Sequence, residues 1–124
     1  MKQVLAISIG AMLGANARYW VGVWIHQNFA THFPLGTFVV NVLGSLLLGF
    51  VVAFSIKRGD LSQTMLLLIG TGFMGSFTTF STFSVETWQL IMDGNWQLAF
   101  LNVVGSIVGG LGGVWLGTQG GRLL

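Results

Sequence analysis

Gly72-Phe73-Met74-Gly75-Ser76-Phe77-Thr78-Thr79-Phe80-Ser81-Thr82-Phe83-Ser84-Val85-Glu86-Thr87 is the stretch on which the reading of this chain turns. Seven of the twelve residues from Ser76 to Thr87 are Ser or Thr, and Phe77, Phe80 and Phe83 recur every third residue among them. Glu86 follows three residues after the last ring. Surrounded by water, such a run would be a sticky polar turn. The flanking sequence sets a different solvent.

Of 124 residues, 53% are hydrophobic and 6% charged, whereas charge in soluble domains is nearer ~25%. Mean hydropathy is +0.81. Apolar runs long enough to cross a bilayer core of about 30 Å recur along the chain. The chain therefore reads as an all-α integral membrane protein, a single transmembrane domain with crossings near residues 4–25, 36–56, 63–92 and 98–118. Its formal charge of +2 rests on five Lys or Arg and three Asp or Glu. That is too few for a nucleic-acid-binding face. Cysteine is absent, which excludes a disulfide framework, a thiol nucleophile and a Cys-based metal site. The first segment is too long and too Gly-rich for a cleaved signal peptide and is expected to remain as a helix.

The first crossing carries Gly10-Ala11-Met12-Leu13-Gly14, a small-xxx-small pattern that lets helices approach closely in lipid. Arg18 lies about 21 Å along a helix from Val4, toward the far interface. There it either snorkels or takes a structural or pore role. The following loop holds His26, His32 and Pro34, and two histidines six apart without a Cys or acidic companion read as interfacial polar residues. Asn41 opens the uncharged second crossing, where its amide can bond a neighbouring helix or offer a donor to an anion. Lys57-Arg58-Gly59-Asp60-Leu61-Ser62 concentrates the exposed charge. The third segment is too long for a minimal crossing, and Gly70, Gly72 and Gly75 directly precede the hydroxyl run. Glycine propagates a helix poorly, and Ser/Thr side chains can satisfy backbone groups released by a break. An interruption near residues 75–79 is predicted. Irregular backbone at that depth must be buried in protein or line a wet cavity. In the last crossing Asn102 and Ser106 share a face. Gly105, Gly109, Gly113 and Gly117, with Gly121 beyond, form a ladder suited to helix packing.

Four crossings gather Lys2, Lys57, Arg58 and Arg122 on the side of both termini and leave the opposite loops without Lys or Arg. The positive-inside rule then gives N-in and C-in. The glycine ladders favour assembly, with a dimer as the simplest form. No enzyme is expected: the serines lack a His-plus-acid set, Glu86 lacks an acidic partner, and no Walker-type phosphate loop occurs. Hydroxyls at successive helical positions make a track of donors. Phenyl rings offer a positive edge to an anion, and a broken helix frees carbonyls for a cation. The residues point to a small ion-conducting or transporting membrane protein.

The run from Gly75 to Glu86 resembles the signature GxxTTFSTFSxE of the Fluc (CrcB) fluoride channels. The likeness continues through Gly10 to Arg18, Gly36-Thr37-Phe38-Val39-Val40-Asn41, and Asn102 with Ser106. It implies an antiparallel, dual-topology dimer of four-helix subunits in the bacterial inner membrane. It further implies two narrow fluoride pores, a central structural sodium ion (Na+) and passive export of cytoplasmic fluoride. By position, Phe80 and Phe83 would contact fluoride with their ring edges, and Asn41 would be the pore amide. Ser81, Thr82 and Ser84 would add hydroxyls beside the path. Arg18, Glu86, Asn102 and Ser106 would be polar residues near the pore. Gly75 and Thr78 would offer backbone carbonyls to sodium. The one-sided charge sits against dual insertion, so the partner would be either the same chain or an oppositely oriented homologue. A rival class, the small multidrug proton antiporters, also uses four short helices but carries an acid in its first helix. Here Arg18 stands in that helix and Glu86 is the only intramembrane acid. A purely structural or regulatory subunit would carry no ion flux.

Overall fold

The computed structural model describes residues 1–59 and 61–124; Asp60, in the loop read as charged, lies outside them. Helix α1 spans Lys2–Asn28 and α2 spans Leu35–Arg58. Helix α3 covers residues 63–77, α4 Phe80–Met92 and α5 Trp96–Leu123. Among the described residues four helical spans are long and apolar enough to cross a membrane, α3 and α4 together making the third. The first, second and fourth run past the apolar windows read from sequence, because polar residues and caps complete their terminal turns, and the third, Gln63–Met92, coincides with its window. Ser62 Oγ accepts the Met65 N–H at 3.3 Å to start α3. Gly59, at φ 67, ends α2 in the left-handed region that glycine adopts without a steric penalty.

The packing is inside-out relative to a soluble domain. Large apolar side chains such as Val4, Leu47, Val108, Leu111 and Leu116 face outward, while Ala6, Ala53 and Ala99 are buried. Lipid is as apolar as leucine, so helices gain little by burying large residues and gain more from close backbone approach. The glycine ladder of α5 provides it against α2. A Cβ at Gly113 would lie 3.0 Å from the Val42 carbonyl oxygen, and one at Gly117 would collide with the Leu46 carbonyl. Gly49 answers from α2, where a Cβ would come within 2.6 Å of the Val114 carbonyl. On the other side, Gly10 and Gly14 of α1 press on the carbonyls of Leu68 and Phe73. Gly117→Leu should therefore destabilise the fold by about 1–3 kcal/mol, the usual cost of overpacking. Gly112→Leu, where nothing lies within 4 Å, should leave it unchanged. Thermal unfolding in detergent distinguishes the two.

One feature was not foreseen in the sequence. Residues Leu67–Met74 form π-helical turns, and the Gly75 N–H reaches back to the Gly70 carbonyl. The widened turns carry the same Leu68 and Phe73 carbonyls that α1 receives in its glycine groove. Such π segments recur at functional sites.

Both ends of the bundle have a distinct character. At one, Lys57 Nζ donates to the carbonyls of Arg122 (2.7 Å) and Leu123 (3.3 Å), and Arg58 Nε donates to Leu124 O at 3.0 Å. These cations meet the negative end of the α5 dipole. Gln3 and Gln63 meet at 3.4 Å at the same end. Toward the other end stand Tyr19, Trp20, Trp24, Trp88 and Trp96, all exposed, an aromatic belt suited to a membrane interface.

Candidate functional site at the helix break

Helix α3 stops where the backbone turns extended at Thr78 (φ −83, ψ 160) and Thr79 (φ −151, ψ 116). Thr79 starts the next helix itself: its Oγ1 accepts the Thr82 N–H at 3.2 Å, an N-cap bond. The break lies within the predicted interval, at its C-terminal edge. Its exposed peptide is held from α2. Asn41 Oδ1 accepts the Thr79 N–H at 2.7 Å, and Asn41 Nδ2 donates to the Thr79 carbonyl at 3.0 Å. Of the two roles left open for Asn41, the bond to a neighbouring helix is therefore made. One hydrogen of its amide remains.

Two carbonyls lose their helical donors through this arrangement. In a continuous helix the Gly75 carbonyl would receive the Thr79 N–H, and the Thr78 carbonyl would receive the Thr82 N–H. The first donor goes to Asn41 and the second to Thr79 Oγ1. Carbonyl oxygens so released suit a hard monovalent cation, the use made of unwound helices in membrane transporters.

Two clefts open on either side of Thr79, which lines both. The inner cleft, about 370 Å³, is lined by Asn41, Gly75, Thr78, Phe80, Phe83 and Ser106, with Ser45 beside them. None of its lining residues is ionisable. The rings of Phe80 and Phe83 lie 5.6 Å apart, tilted by 37°. Phe83 is half-buried, whereas Phe80 is 79% exposed on its own chain. The Ser106 hydroxyl is buried and has no hydrogen-bond partner among the described residues. The outer vestibule, about 650 Å³, is lined by Arg18, His26, His32, Thr82, Glu86 and Asp93. Thr37 of α2 faces the Glu86 carboxylate there. The other carboxylate oxygen, Oε2, is buried without a partner among the described residues.

The sequence-selected residues thus fall into distinct places. Asn41, Phe80, Phe83, Ser106, Gly75 and Thr78 meet in the inner cleft, and Arg18, Thr82 and Glu86 in the vestibule. Ser81 and Ser84 stand on the exposed face of α4 and line neither; the Ser84 hydroxyl donates to the Phe80 carbonyl at 2.9 Å. Asn102 also lines neither. It is fully buried and donates through Nδ2 to Thr87 Oγ1 at 2.9 Å, and that hydroxyl donates to the Phe83 carbonyl at 2.7 Å. Asn102 therefore ties α5 to the turn that carries Phe83. Thr79, Thr87 and Thr37 had been given no role. A Thr three residues before another hydroxyl at a helix start is a readable cap for Thr79. Thr87 and Thr37 act across helices, and nothing local marks them.

Residues 5–118 match the family described as CrcB-like protein, Camphor Resistance (CrcB). A protein of Chloroflexus aurantiacus named "Fluoride-specific ion channel FluC" is 46% identical over 122 residues, 98% of this chain and 97% of its own. One of the same name from Roseiflexus sp. (strain RS-1) is 46% identical over 98% of both chains. Another from Geobacter sp. (strain M21) is 40% identical along the whole of both. The chain belongs to the CrcB family, as a multi-pass protein of the bacterial inner membrane.

Proposed function

We propose that this chain is the subunit of a fluoride-selective channel whose conducting path runs through the inner cleft. The observation that carries this reading is a mid-membrane cleft with hydrogen donors and ring edges but no ionisable side chain. Fluoride is small and strongly hydrated, so a path must replace its water with close donors. Neutral donors can do so and still let the ion leave, since conduction needs binding that is favourable but weak. Among the described residues the Ser106 hydroxyl is without a partner and the Asn41 amide has a hydrogen to spare. Phe80 and Phe83 add the positive edges of their rings. The names of the relatives agree with this chemistry.

The exposed Phe80 leaves the inner cleft open on one side of the single chain. An inverted second subunit, either another copy or a paired homologue, would close it, and twofold symmetry would then give two paths per dimer. The freed carbonyls of Gly75 and Thr78, doubled across the axis, would supply four oxygens to a structural sodium ion. The ion would add positive charge that tightens the dimer axis. Conduction would be passive, and cytoplasmic fluoride would leave down its electrochemical gradient.

Fluoride efflux from proteoliposomes tests the function. Rapid loss of fluoride, with chloride retained and no proton gradient required, is expected. Proton-coupled flux would favour an antiporter, and no flux a structural subunit. For sodium, only the backbone of Thr78 is involved, so Thr78→Ser should keep dimer assembly and its sodium dependence. Loss of the dimer in Thr78→Ser on size-exclusion chromatography would count against a backbone-only role.

A further inference from the structure

The two threonines at the break meet one face of α2, where Asn41 and Gly44 are neighbours one turn apart. Asn41 holds the Thr79 peptide, and Gly44 receives the Thr78 side chain. The Thr78 N–H and the Thr78 hydroxyl both donate to the Met74 carbonyl, each at 3.0 Å. With its hydroxyl fixed in this way, Thr78 directs its methyl group at α2, where a Cβ on Gly44 would collide with Cγ2. Threonine is stiff at χ1. Such a collision is relieved only by turning the hydroxyl off Met74 or by moving α2. Gly49, Gly113 and Gly117 admit the backbone of a neighbouring helix, whereas Gly44 admits one methyl group of a residue at the break. Gly44 is buried within the single chain, so this contact does not wait on a second subunit.

We infer that Gly44 is a positioning residue that aims the Thr78 carbonyl. The peptide between Thr78 and Thr79 is trans, so its C=O and N–H point in opposite directions. Asn41 Oδ1 takes the N–H, and the Thr78 carbonyl is thereby turned away from Asn41. Gly44 fixes the other end of the same unit, because it seats the side chain of the residue that bears the carbonyl. No helical donor pulls on that oxygen, since the Thr82 N–H goes to Thr79 Oγ1. Its direction is set from α2, by an amide on one side and by the missing side chain of a glycine on the other. The inference rests on the reading of Gly75 and Thr78 as sodium ligands, and it gives that site a residue that acts without being a ligand.

Thermal unfolding across a series of sodium concentrations, with N-methylglucamine holding the ionic strength, provides the test. The proteins compared are the wild type, Gly44→Ala, and Gly44→Ala combined with Thr78→Ser. The sodium concentration that gives half of the full protection should rise about tenfold in Gly44→Ala. Serine has no Cγ2 and keeps the hydroxyl for Met74, so adding Thr78→Ser should return that midpoint to its wild-type value. A merely structural glycine would lower the unfolding temperature and leave the sodium midpoint in place, and that result would overturn the inference. A double variant no better than Gly44→Ala would overturn it too. Should Gly44→Ala not fold, the double variant is still expected to fold with the wild-type midpoint, and its failure to do so would count against Gly44. A wild-type protein whose unfolding ignores sodium would instead overturn the sodium site. Recovery of the unfolding temperature on adding Thr78→Ser would then decide whether Gly44 seats Thr78.

Discussion

Phe83→Ile should cut fluoride efflux from proteoliposomes by roughly a hundredfold, and Phe80→Ile should do the same. Isoleucine keeps an apolar side chain in the cleft but removes the ring edge. Losing about 2.7 kcal/mol of ion stabilisation at one constriction slows passage by that factor. The two variants separate function from folding in different ways. Phe80 is 79% exposed on its own chain, so its replacement takes little packing from the subunit and thermal unfolding of the monomeric fold should hardly move. Phe83 is half-buried and its carbonyl accepts from Thr87; that backbone bond survives the substitution. Undiminished flux in both variants would remove the rings from the path.

The second large effect is expected at Asn41. Asn41→Ala strips both partners from the Thr79 peptide, which is 8% exposed. A buried polar group left unpaired costs about 1–3 kcal/mol, so two of them should lower the unfolding temperature visibly and abolish flux. Asn41→Asp keeps the acceptor and removes the donor. A carboxylate still accepts the Thr79 N–H but cannot donate to the Thr79 carbonyl, and it places a negative charge in a cleft that otherwise has none. Flux should vanish in Asn41→Asp with a loss of stability at least as large as in Asn41→Ala, because a carboxylate oxygen then faces the Thr79 carbonyl oxygen where a donor stood. Unchanged stability in Asn41→Ala would mean that the clamp on Thr79 contributes nothing.

The four crossings were legible because lipid imposes long apolar runs. The glycine ladder of α5 was legible because close packing in lipid needs small residues at a fixed spacing. The break was legible for a related reason: three glycines followed by hydroxyls announce a backbone that a continuous helix does not satisfy. What the sequence withheld was which hydroxyl does what. Seven Ser or Thr residues crowd the run, and Thr79 differs from Thr78 only because Asn41 of another helix meets its peptide. The bond from Asn102 to Thr87 joins residues fifteen apart on different helices, so no local pattern encodes it. The π-helical turns at Leu67–Met74 present the Leu68 and Phe73 carbonyls to glycines of α1, a contact between residues far apart in sequence. Phe80 is the remaining case, because nothing in the sequence marks a ring that the single chain leaves exposed.

Those π-helical turns also set a phase. Each hydrogen-bonded ring in them encloses one more residue than in an α-helix. Deleting one of these eight residues would let the segment relax to α geometry nearly in phase, but relaxation with all eight kept would rotate everything beyond it by about 100°. Phe80 and Phe83 would swing off the Asn41 face, and α1 would lose the carbonyls that seat in its Gly10 and Gly14 groove. The third crossing is therefore measured in degrees as much as in ångströms: its winding before the break fixes the azimuth at which the two rings are presented.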